Sequence, residues 1–231
     1  MSRARKPAAS EQRLLDRLSE VGVVLDFAFV ESEADAGAAE LLHLDAVKAG
    51  ITQFATDSRI DPTIREPGPS GNRVSLTDFY GWHFDAGGSR RLRVQASRAV
   101  RTPWEELYRT QRAVKGSLNF ELGFGPYQFA DDDDPNRAIW VRGEITVAYA
   151  ASFTNPPYRL RGLTTSEVQD LFLEVDELFL RRPTAQTEMW WWDGGPWTDY
   201  FLPGLEWWGA WAATVRTSPT EIVVIGASTS D

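Results

Sequence analysis

Apolar positions recur along this chain with two periods, and each period marks out its own kind of element. Between Glu11 and Glu20, Leu14, Leu15 and Leu18 fall on one helical face with charge around the rest, which predicts a short amphipathic helix. Val21 to Val30 is a dense apolar run with Val23, Val24, Leu25, Phe27 and Phe29, of the length and character of a buried strand. Asp26 is the only charge inside it. Asp35 to Ala49 then reads as an Ala- and Leu-rich helix, with Gly50 as the expected terminator. Pro and Gly punctuate Arg59 to Asn72, which makes that stretch a loop.

Three hairpins follow from alternation interrupted by turn residues. Val74 to Phe84 and Arg91 to Ser97 flank Asp85-Ala-Gly-Gly-Ser, and Leu92, Val94 and Ala96 alternate with Arg91, Arg93 and Gln95. Pro103 to Arg112 reads as a helix, since Pro is tolerated in a first turn. In the second hairpin, Leu118, Phe120, Leu122 and Phe124 alternate with polar residues, and Val141, Ile145, Val147 and Tyr149 return after a long connection. Thr164-Thr-Ser-Glu167 has capping-box spacing before Val168, Leu171, Phe172, Val175, Leu178 and Phe179 at helical intervals, ended by Pro183. Trp207 to Val215 and Glu221 to Ile225 form the third hairpin around Arg216-Thr-Ser-Pro-Thr. The expected fold is α+β: an antiparallel or mixed sheet built from three hairpins, with helices packed on one side. Residues 1–10 are expected as a disordered basic tail and 11–231 as a single domain.

Composition narrows the chemistry. At 231 residues with 42% hydrophobic content the chain can bury a full core. It has no cysteine, so disulfides, thiolate metal sites and a cysteine nucleophile are excluded, and a reducing cytoplasm is the expected setting. The three cations of the opening residues precede no apolar segment of the secretory type, and no window approaches the roughly twenty apolar residues of a membrane span. A formal charge of −9 argues against nucleic acid and for basic partners.

The catalytic inventory is thin. His43 and His83 lack zinc spacing, and His83 reads as a satisfied strand histidine before it reads as a general base. Asp131 to Asp134 lacks calcium-loop spacing and reads as a solvated turn. Neither a phosphate-binding glycine pattern nor a serine-hydrolase elbow is present, so no cofactor is expected. Arg90, Arg91, Arg93, Arg98, Arg101, Arg109, Arg112 and Lys115 make the middle basic, which fits solvation or pairing within the chain better than a phosphate grip.

Seven of the ten tryptophans lie between Trp190 and Trp211. Asp193-Gly-Gly-Pro196 breaks this stretch with a turn. Consecutive strand residues point to opposite faces, so one of Trp191 and Trp192, and one of Trp207 and Trp208, leaves the core unless something covers it. The candidate binding residues are Trp191, Trp192, Trp197, Asp199, Tyr200, Glu206, Trp207 and Trp208. Exposed indoles with carboxylates suit a protein interface or a sugar, and two carboxylates such as Asp199 and Glu206 suit glycoside hydrolysis. A core hairpin or an interface between copies of an obligate assembly accounts for the same tryptophans, and the sequence does not fix the oligomeric state.

Glu206-Trp-Trp-Gly209, followed by a strand and the ending Val224-Ile-Gly-Ala-Ser-Thr-Ser-Asp231, resembles the ending of small acidic bacterial immunity proteins that neutralise polymorphic or contact-delivered toxins. The resemblance covers about the last thirty residues. It implies a cytoplasmic α+β protein, without catalysis of its own, that blocks a toxin by occupying its active face, and the acidic charge points to a basic one. A non-enzymatic binding or inhibitory protein is therefore the leading expectation, with a carbohydrate-acting or small-ligand enzyme as the alternative.

Overall fold

The computed structural model describes residues 2–32, 38–81, 84, 86, 90, 92, 127–130, 138–141, 149–154, 156, 160–205 and 210–228. Its centre is a six-stranded sheet of β1 (Arg3–Arg5), β2 (Leu25–Glu31), β3 (Gly71–Arg73), β6 (Met189–Asp193), β7 (Ala210–Ser218) and β8 (Glu221–Ser228). The strand order is β1-β2-β8-β7-β6-β3, and every neighbouring pair is antiparallel. A separate pair joins β4 (Tyr127–Ala130) to β5 (Ala138–Val141). Among the described residues the helices are α1 (Ala9–Val21), α2 (Ala39–Asp57), α3 (Leu76–Tyr80), α4 (Tyr149–Thr154) and α5 (Thr165–Leu178).

The α+β class is as expected, but helices cover both faces of the sheet and not one. Leu25, Phe27 and Phe29 of β2, with Val223 and Ile225 of β8, share a core with α1, α3, α4 and α5. Ala28 and Val30, with Ile222 and Val224, pack with α2 and a 3-10 turn at Asp199–Phe201. Strands buried on both sides carry apolar runs, which explains Leu25 to Val30, whereas Val21, expected in the same strand, closes α1 and the strand begins only at Leu25. Gly50, expected to end a helix, sits inside α2 because a Cβ there would lie 2.6 Å from the Cβ of Val224. The missing side chain lets the helix lie close against β8 and continue to Asp57.

Other expectations change for local reasons. Residues 3–5 of the expected tail form β1, because the Arg5 guanidinium bonds both Glu11 (2.7 and 2.8 Å) and Glu221 (2.9 and 2.6 Å) and lies over the Phe29 ring. The expected strand at Val74 is replaced by α3, where Ser75 Oγ caps by accepting from Asp78 N at 3.1 Å; among the described residues the Phe84 to Leu92 bridge is what remains of the hairpin. Tyr149 opens α4 and does not close a strand. Its ring and that of Phe153, one helical turn on, pack on Phe172 in a fully buried aromatic cluster. The other expected strand, 118–124, and the helix 103–112 lie outside the described residues. The capping box of α5 forms as read, with Thr164 N donating to Glu167 Oε2 and Glu167 N to Thr164 Oγ1.

Candidate binding groove at the edge of the sheet

The tryptophan segment folds largely into the core. Trp192 and Trp197 are buried, and their indole N–H groups donate to Thr214 Oγ1 and to the Asp193 carbonyl, each at 3.0 Å. Trp191 turns to the opposite face and stacks on buried Trp211 with ring centres 4.3 Å apart. Trp192 is thus buried and Trp191 half-buried, because both faces of the sheet carry helices. Asp199 is held by Arg65 through two bonds of 2.6 and 2.8 Å, which keep its carboxyl below the usual range. Tyr200 is buried. Glu206, Trp207 and Trp208 lie outside the described residues, as do His83 and the Asp131 to Asp134 turn.

His43 sits on the apolar face of α2, with Nδ1 2.8 Å from Thr214 Oγ1. That hydroxyl also accepts from the Trp192 indole N–H, so Thr214 ties the histidine to the tryptophan segment. Nε2 stands 4.0 Å from Glu188, itself bonded to Arg216 at 2.9 Å. Burial lowers the His43 pKa to about 4, so the ring is neutral. On the opposite face Asp176, almost wholly buried, accepts from Tyr80 and Arg90. Burial raises its pKa. Arg90, from the basic stretch, is thus paired within the chain, while the other cations of that stretch lie outside the described residues.

Sequence reasoning missed the feature at the far edge. A groove of about 1390 Å³ runs along β2, from Leu15 and Ser19 of α1 on one face to Gln53 and Asp57 of α2 on the other. Asp26 lies in it. Its carboxylate reaches solvent yet is walled closely by protein, and that desolvation raises its pKa. The Tyr200 hydroxyl donates to Asp26 Oδ2 at 2.7 Å, which opposes the rise, and the charge of Asp57 adds to it. Gly226, directly across from Asp26 in the β2 and β8 register, makes the contact possible, since a Cβ there would stand 2.6 Å from the Tyr200 hydroxyl. The available signal was Asp26 itself, a lone charge in an apolar strand.

Among the described residues no three His, Asp or Glu side chains gather as metal ligands, and no helix is long and apolar enough to cross a membrane. No protein-family model, curated protein or solved structure matches this chain.

Proposed function

We propose that the chain is a non-enzymatic binding protein, an inhibitor of the immunity kind acting in the cytoplasm, whose basic protein partner docks in the groove along β2. One observation carries this reading. Glu11, Asp176, Glu188 and Asp199 each meet an arginine of the same chain, whereas Asp26, in the groove, meets a tyrosine hydroxyl and the charge of a second acid. A carboxylate held partly out of water beside a like charge gains from an arriving cation. The net charge of −9 steers cationic partners in the same sense.

The carbohydrate-acting alternative needs a Trp-lined cleft. Trp192 and Trp197 are buried and Asp199 is paired with Arg65, which leaves half-buried Trp191, stacked on Trp211, as the one candidate indole among the described residues with an accessible face.

The test is calorimetric titration of the purified chain with the products of reading frames adjacent to its gene, with growth rescue as a second readout. A basic product should bind and be neutralised, and Asp26→Asn should weaken binding about tenfold, the ~1.4 kcal/mol of one desolvated charge contact. Absence of binding by every adjacent product, or full retention of affinity in Asp26→Asn, overturns the reading.

A further inference from the structure

The groove follows an unfinished sheet edge. β8 pairs with β2 from Leu25 to Glu31, but β1 on the other side pairs only with Phe29 to Glu31. The register of β1, continued beyond Arg5, would set Pro7 across from Phe27. Proline has no N–H to donate, and the chain turns into α1 at Ala9, so β1 stops. Among the described residues no strand pairs with Leu25 to Ala28 on that side. Backbone groups on such an edge are a template for one more strand.

The two sides of the slot differ in chemistry. Asp26 faces the α2 side, where Asp57 and Asp45 add acids and Lys48 a cation, while Leu25 and Phe27 face the α1 side with Leu15 and Leu18; Arg3, Arg5 and Lys6 line the end of the groove at β1, with Arg5 already held by Glu11 and Glu221. A strand laid on this edge sends alternate side chains to the two sides. Those beside Asp26 meet acid and those beside Phe27 meet hydrocarbon.

Resting on the basic-partner reading above, we infer that β2 accepts an added strand: an extended partner segment of alternating cationic and apolar residues, bonded through its main chain to Leu25 to Ala28, its cations on Asp26 and Asp57. A second copy of this chain fits the slot poorly, because edge-to-edge pairing of β2 would bring like acids together.

The experiment titrates the full chain with a labelled Lys-Val-Lys-Val-Lys-Val peptide, its Glu-Val counterpart, and two versions of the Lys-Val peptide N-methylated at every lysine or at every valine. Strand addition predicts binding of the Lys-Val peptide with amide shifts from Leu25 to Ala28. It also predicts about tenfold or greater weakening in one methylated version, the one whose blocked amides face β2. Equal affinity for all three Lys-Val peptides overturns strand addition and leaves docking by charge intact. No binding, or equal binding of the Glu-Val peptide, overturns both. Sedimentation of the chain alone completes the test: a dimer displaced by the Lys-Val peptide assigns the edge to a second copy and overturns the inference.

Discussion

The Tyr200 hydroxyl donates to Asp26 Oδ2 at 2.7 Å, joining the turn that follows the tryptophan segment to the strand that lines the groove. This bond fixes the carboxylate in position without neutralising it. A tyrosine supplies a proton to share and no positive charge, so the acid remains open to a cation from outside.

Asp26→Asn is expected to stabilise the folded chain near neutral pH while weakening binding. The folded-state pKa of Asp26 is raised, so its ionised form is disfavoured by folding. The wild type therefore loses stability relative to the variant as pH rises through the folded pKa, and the two converge in acid. The difference should stay under about 1 kcal/mol, since the side chain reaches solvent and part of the penalty is screened. Paired thermal melts across the acid range check the sign, and a variant less stable at every pH contradicts it.

Gly226→Ala should destabilise by about 1–3 kcal/mol, because its Cβ would overlap the Tyr200 hydroxyl and the Phe54 ring edge at 2.6 and 2.8 Å. Loss of the Tyr200 contact should raise the Asp26 pKa further, readable by carboxyl NMR titration. An unchanged titration would mean that Tyr200 does not position Asp26.

His43 makes an acid-sensitive element. Its pKa falls from the ordinary 6.5 to about 4 on folding, so its contribution is complete above 6.5 and is lost as pH falls toward 4. Urea unfolding should show a loss of about 2 kcal/mol between about pH 7 and pH 5 that His43→Gln removes. Parallel pH dependences in the two proteins would contradict the assignment.

Asp176→Ala leaves Tyr80 and Arg90 facing an empty, buried position. The expected loss is about 3 kcal/mol, measured by denaturant unfolding. A loss under about 0.5 kcal/mol, as for an ordinary surface change, would show that the network contributes nothing.

The sequence made the regular elements readable where one period dominated, as in α5 with its Thr164 and Glu167 box and in the β7 to β8 hairpin. It misled where a residue served a distant contact. Gly50 is a helix breaker locally and a packing contact with Val224 in three dimensions. The opening residues look like a solvated tail until Glu221, at the other end of the chain, pairs with Arg5. Trp191 and Trp192 pointed to an exposed indole only on the assumption of a sheet covered on one face. Asp26 stood out in the apolar run, but its partner Tyr200 and its open edge depend on strand order, which alternation does not encode.

The most direct test of a groove built to receive a cationic segment is calorimetric titration of wild type and Asp26→Asn with the Lys-Val peptide at low and high salt. The account predicts wild-type binding that weakens with salt and falls about tenfold in Asp26→Asn, although that variant is the more stable protein. Equal affinity of the two proteins at low salt would contradict it.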